Sequence, residues 1–218
     1  MNLQSILDQL LKSGTAQYEK ARDSGDLGKY ATGAAAGGAL ALLLGSKRGR
    51  SLGGGALKLG SVAAVGALAW KLYQEHQVKQ ALPTGPVKAL PAASFERLPA
   101  LQLEDHSRVM LKAVIAAAKA DGHMDERERA AVEAELHRMD ADASTRRWVD
   151  EELRRPLEPA EVAAAATTPE MAAEVYLASV LVADDTSTME RAYLDALARE
   201  LKLAPELKAS LEARAKAG

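Results

Sequence analysis

Cysteine is absent from this chain of 218 residues. Disulfides and cysteine-ligated zinc sites are thereby excluded. Aromatic residues make up only 4%, with a single Phe. The core must therefore be built from small apolar side chains, which suits closely packed helices better than a sheet. Neither charge sign dominates, since 28 Lys and Arg stand against 30 Asp and Glu. There is no G-x-S-x-G elbow, phosphate loop or dinucleotide fingerprint. The four histidines, His76, His106, His123 and His137, show no paired metal spacing. No nucleophile stands beside a recognisable base, so the sequence predicts no enzyme. The one basic run, Ser46-Lys47-Arg48-Gly49-Arg50, is too short and too poor in aromatics to argue for nucleic acid.

What is present is unevenly distributed. Thirteen of the 16 glycines lie before residue 81. Residues 1–80 carry a net charge of +5 and residues 81–218 a net −7. Two physically different segments share the chain. Residues 1–27 open with Leu3, Ile6, Leu7, Leu10 and Leu11, the stripe of a short amphipathic helix. Residues 28–79 are rich in Gly and Ala. Tyr30–Gly45 has no charge, and Leu52–Trp70 has only Lys58.

Small residues recur at four-residue spacing, Gly33 with Gly37 and Ala34 with Gly38, as they do where helices approach closely in lipid. In water each glycine would cost a helix about 1 kcal/mol relative to alanine. Trp70 and Tyr73 beside Lys71 suit an interfacial anchor. The expectation is membrane association through residues 30–73, by one span or by a helical hairpin. The alternative is a glycine-zipper-like segment that drives oligomerisation in water.

Residues 80–102 hold Pro83, Pro86, Pro91 and Pro99 and read as a linker. From residue 103 to 218 the pattern is helical, and seven helices are expected. The first covers Leu103–Ala120 and the second Asp125–Arg138. The third starts at Asp142 or Ser144 and ends before Pro156. The fourth opens at Pro159 and ends near Thr167. Thr168-Pro169 supplies an N-cap and N1 proline for a fifth, to Val182. Ser187 and Glu190 form a capping box for a sixth, to Leu201. Pro205 opens the last, to Lys216. Asp140, Asp142, Ser144 and Glu151 mimic an EF-hand loop, but Thr145 stands where glycine is required. Trp148 and Val149 are expected to pack a helix face instead.

Helix two and helix six repeat one another. Glu128-Arg129-Ala130-Ala131-Val132-Glu133-Ala134 matches Glu190-Arg191-Ala192-Tyr193-Leu194-Asp195-Ala196, with Asp125 and Ser187 in register. Each copy follows an apolar helix ending in Ala-Asp, at Ala120-Asp121 and Ala183-Asp184. The C-terminal half is thus expected to be two helix-turn-helix halves packed together.

The segments AAAKADGHMDERE and VADDTSTMERAYLDALARELKL resemble the two repeat signatures of the TerB-like (tellurite-resistance protein B-like) family. Together with the apolar N-terminal region, the chain is similar to the YebE-type bacterial inner-membrane proteins. The resemblance implies an all-α fold, an acidic metal site, a stress or envelope role, and no catalysis. The candidate ligands are Asp121, Asp125 and Glu128 from the first turn, with Asp184, Asp185 and Glu190 from the second. Convergent carboxylates of this kind would take calcium or magnesium. The competing reading assigns the same residues to capping.

The expected protein is therefore a non-enzymatic inner-membrane protein that presents a partner-binding helical domain. The alternative is a soluble, cytoplasmic, oligomeric metal-responsive sensor with no membrane span.

Overall fold

The computed structural model describes residues 62–80, 100–121, 126–183 and 187–217. The amphipathic stripe within 1–27 and the uncharged run Tyr30–Gly45 lie outside the described residues. Among the described residues every regular element is a helix, so the all-α expectation holds.

Eight helices follow in order: α1 Val62–Gln80, α2 Ala100–Ala118, α3 Glu126–Arg138 and α4 Ala143–Arg154, then α5 Pro159–Ala164, α6 Pro169–Val182, α7 Thr188–Glu200 and α8 Pro205–Ala217. Their starts follow from local chemistry. Asp142 caps α4 by accepting from the Thr145 N–H at 2.8 Å. Thr168 caps α6 through the Met171 N–H, with Pro169 behind it in the first turn. Ser187 caps α7 through the Glu190 N–H at 3.4 Å. Each side-chain oxygen satisfies one of the donors that a helix start leaves open.

Helix α6 is the axis of the bundle. All nine residues from Ala172 to Val180 are buried, as expected of a helix that is apolar nearly all round. Its serine there, Ser179, donates back to the Val175 carbonyl at 2.9 Å, so the hydroxyl is satisfied within the helix. Helices α1, α2, α7 and α8 all pack on α6.

The internal repeat extends further than the matching residues suggest. An offset of 62 carries Glu126–Arg138 onto Thr188–Glu200 and Ala143 onto Pro205. The helix ends agree bond for bond. After α3, the N–H groups of Met139, Asp140 and Ala141 donate to the carbonyls of Glu135, His137 and Leu136. After α7, those of Leu201, Lys202 and Leu203 donate to Leu197, Arg199 and Ala198. Asp140 and Lys202, equivalent residues, both take left-handed φ, at 50° and 55°. One Schellman-type corner is used twice. Before the turn the offset is 63, which places Ala120 on Ala183, both buried. Each unit thus has three helices, α2–α4 and α6–α8, and α5 joins them.

The membrane-anchor expectation is corrected here. No helix among the described residues is long and apolar enough to cross a membrane. Helix α1 contains the end of the second apolar run, and several of its apolar side chains pack against protein. Val65 and Ala69 are buried in the core, with Leu68, Leu72 and Tyr73 packed beside them. Helix α1 lies along α6 and α8. Its second half is polar, with an exposed Lys71–Glu75 pair. The inner-membrane localisation falls with the anchor, because it rested on that segment.

Candidate functional site

Of the six candidate cation ligands, Asp125, Asp184 and Asp185 lie outside the described residues, as does the side chain of Glu128. Asp121 is half-buried at the end of α2. Glu190 is buried under the first turn of α7, where its N–H meets the Ser187 hydroxyl. Among the described residues no three acidic or histidine side chains converge in a way that could hold a metal ion. That finding overturns the cation-dependent reading of the function. Glu190 stands at a helix start, where a carboxylate is favoured by the exposed N–H groups.

The EF-hand mimic is a helix junction. Asp142 is the N-cap of α4, Ser144 donates to its carboxylate, and Asp140 forms the left-handed corner. The Ser144 hydroxyl and then the Thr145 N–H hold the Asp142 carboxyl down to about 2. Val149 is buried, and Trp148 packs half-buried with the Arg108 guanidinium 5.5 Å over its ring.

Three polar assemblies link the helices of the bundle. The first joins the two units. His106 on α2 places Nε2 2.8 Å from Oε2 of Glu174 on α6, and both side chains are 7% exposed. The second ties α6, α7 and α8. The Tyr176 hydroxyl donates to Glu212 at 2.6 Å, and Lys208 reaches Glu212 at 2.8 Å and Asp195 at 3.1 Å. Burial, and then the Glu212 hydrogen bond, pushes the Tyr176 phenol far above its ordinary value. Burial opposes the Glu212 charge, but the Lys208 and Tyr176 hydrogen bonds outweigh it and hold the carboxyl low.

The third assembly lines a shallow cleft between α2, the end of α4 and α5, with Lys112, Lys119, Glu152, Arg155 and Glu161 around it. Lys119 donates to the carbonyls of Glu152 (2.9 Å) and Arg155, and so closes the end of α4 from another helix. Desolvation lowers its pKa. Arg155 pairs with Glu152 at 3.3 Å and with Glu161 at 3.8 Å. Nucleophile, general base and open cation site do not coincide in this cleft. Its charges satisfy one another.

Sequence reasoning missed all three assemblies. The contacts that join them across the bundle, His106–Glu174, Tyr176–Glu212 and Lys119 to the end of α4, link different helices tens of residues apart, and no local spacing marks them. Only the apolar surroundings of Glu174 and Tyr176 on α6 carried a signal. A polar residue inside a run that is otherwise apolar requires a buried partner.

Comparison with known proteins decides the family. The profile of a family described as "Protein of unknown function (DUF533)" matches residues 29–215. The chain belongs to the DUF533 family. The TerB-like and YebE-type resemblance is corrected by this match. It rested on two short acidic helix-turn-helix segments, whereas the DUF533 profile covers both repeat units and most of the glycine-rich region. This DUF533 chain is also 31% identical, over 103 residues, to a protein of Yersinia enterocolitica described as "Uncharacterized protein in ampR 5'region". The alignment covers 47% of the present chain and 74% of that relative. No solved structure matches.

Proposed function

We propose that this DUF533 protein is a non-catalytic assembly protein, a doubled three-helix unit that works through helix-to-helix contacts between copies. One observation carries the reading. The end of the Gly/Ala-rich region, Val65, Gly66 and Ala69 on α1, is buried against other helices of the protein. Small residues there allow close backbone approach, the use that the four-residue spacing of Gly33 with Gly37 and Ala34 with Gly38 also suits. The same composition that suggested lipid contact serves protein contact.

A non-catalytic role agrees with the polar chemistry of the bundle. His106, Glu174, Tyr176, Glu212, Lys208 and Lys119 are engaged with one another or with backbone carbonyls. A substrate would have to break those contacts, at the cost of leaving buried groups unpaired.

Sedimentation velocity of the full-length chain in detergent-free buffer tests the reading. Oligomers that dissociate on dilution support it. A chain that stays monomeric throughout the micromolar range rules it out.

A further inference from the structure

Helices α2 and α6, the first of each repeat unit, pack on each other through the most extensive helix–helix contact among the described residues. They are equivalents, so the contact joins two copies of one element. On the offset of 63, Val109, Met110, Val114 and Ala117 of α2 correspond to Ala172, Ala173, Leu177 and Val180 of α6. All eight are apolar side chains in or against the core. Apolar packing therefore distinguishes poorly between α2 and α6. A chain of this kind can pair α6 with the α6 of a second copy, and α2 with its α2, a misassembly characteristic of repeats.

His106 and Glu174 break that equivalence. The position of His106 is filled in unit two by Pro169, and that of Glu174 in unit one by Leu111. In the present pairing the imidazole Nε2 lies 2.8 Å from the carboxyl oxygen, and both side chains are 7% exposed. With a second α6 in the place of α2, Glu174 would meet Pro169, which has no N–H to donate. With a second α2 in the place of α6, His106 would meet Leu111 instead of a carboxyl group.

We propose that the His106–Glu174 contact is a pairing lock, which admits unit one against unit two and rejects the like unit of a second copy. Burying an ionisable group without its partner disfavours a like pairing by roughly a hundredfold or more. In the correct pairing each group satisfies the other. A single polar position in a coiled-coil core sets partner and register in the same way. Nothing in the lock depends on the parent chain forming oligomers.

The cysteine-free chain allows a direct test. Met171→Cys places one half-buried thiol on α6. In a like pairing the thiols of two copies would stand as Arg108 and Met171 stand now, within a turn of the His106–Glu174 contact and in reach of a flexible bis-maleimide. The full-length chain is unfolded in urea, refolded at about 0.1 mM and cross-linked, where an effective concentration on the order of millimolar holds within one chain. Glu200→Cys, at the exposed end of α7, reads collisions that owe nothing to α6. About one chain in ten should then carry a like pairing without the lock, against about one in a thousand with it. His106→Leu with Glu174→Leu should therefore raise the α6–α6 product at least about tenfold and leave the Glu200→Cys product unchanged. Pro169→His, at an exposed position, gives Glu174 an imidazole to meet in the like pairing and leaves the native pair in place. It should raise the same product severalfold, and Pro169→Ala should not. If the leucine pair fails to fold, Pro169→His against Pro169→Ala decides. An α6–α6 product no greater than the parent's in the folded variants overturns the lock.

Discussion

Unit one (α2–α4) and unit two (α6–α8) share a backbone plan but fill it differently. At Val132/Leu194, Leu136/Ala198, Met139/Leu201, Val149/Leu211 and Leu153/Ala215 both units bury an apolar side chain. Where they diverge, unit one is the more polar along its second and third helices. Glu135 occupies the position of Leu197, and Thr145 that of Leu207. Glu152 is buried where unit two has the exposed Arg214. Glu135 is bound by Arg138 and Glu152 by Arg155, arginines whose own side chains reach solvent.

The difference follows from what lies beside each buried position. In unit one, Arg138 and Arg155 stand three residues after Glu135 and Glu152 and reach both the buried carboxylate and the solvent. A duplicated backbone thus tolerates unlike cores, provided each buried charge has a partner within reach.

The largest break in this comparison should come where the units meet. Glu174 occupies the position of Leu111 and places a carboxyl group inside the bundle's most apolar helix. His106→Ala should cost on the order of 3–5 kcal/mol, because Glu174 is left buried without that partner. The double change His106→Leu with Glu174→Leu should be close to neutral, since a well-packed apolar pair often replaces a buried ionic one without loss. Urea unfolding of the three variants checks this. A double variant as weak as the single one would show that the pair does more than satisfy itself.

The next contrast is Leu197 against Glu135. Leu197→Ala should cost about 2–5 kcal/mol by cavity formation. Glu135→Leu, which copies unit two into unit one, should be neutral or stabilising, since an apolar side chain replaces a buried carboxylate and Arg138 is left in solvent. Thermal melts of both variants, ranked against the parent, decide it.

The Tyr176–Glu212–Lys208 chain belongs to unit two alone and sharpens the comparison through pH. The folded pKa of Tyr176 lies above its unfolded value of 10.0, as does that of buried Tyr193. Above about pH 10 the unfolded chain therefore releases protons that the folded chain keeps, and stability must fall as pH rises. Lys208 moves the same way above its unfolded value of 10.5. Glu212 has the opposite sign. Its folded pKa is depressed, so its contribution is full above 4.5 and is lost as pH falls through the folded value. Tyr176→Phe should cost about 1–2 kcal/mol at neutral pH and flatten the alkaline decline. A pH series of unfolding midpoints reads both effects.

The smallest effects concern the corners. Unit one caps its third helix with Asp142, whereas unit two has Ala204 at the equivalent position. Asp142→Ala should cost about 1 kcal/mol, and Ala204→Asp should recover a similar amount in unit two. Asp140→Gly and Lys202→Gly should each be stabilising by up to about 1 kcal/mol, because only glycine takes left-handed φ without strain. Differential scanning calorimetry resolves shifts of this size. Equal responses at the two corners would confirm that they are one motif used twice.

Much of the fold was legible because helix starts are written in side chains. Asp142, Pro159, Thr168-Pro169, Ser187 and Pro205 stand at helix starts and act through local hydrogen bonds or a fixed φ. The ends were less legible. Asp140 and Lys202 are left-handed without being glycine, so no residue type announced the corner, and the three-helix extent of the repeat was hidden by cores of different composition. The His106–Glu174 pair spans 68 positions and leaves no periodic trace. Helix α1 was misread for a different reason. Small apolar residues at helical spacing are the same request for close contact whether lipid or protein surrounds them, and only the groove between α6 and α8 distinguishes the two. Of the proposed cation ligands, the sequence supplied acidic residues at helix starts, where capping and coordination call for the same side chains.

Lys119 extends from the last turn of α2 to hold the carbonyls that end α4, which makes it a strut across the base of unit one. A strut of this kind is also a lock against proteolysis. Trypsin must take a lysine side chain into its specificity pocket and straighten the backbone around it, and an ammonium fastened to two carbonyls of a neighbouring helix is not free for either. The peptide bond after Lys119 therefore becomes cleavable only when α2 and α4 separate. The digestion rate at that bond then serves as a clock for the separation of α2 from α4.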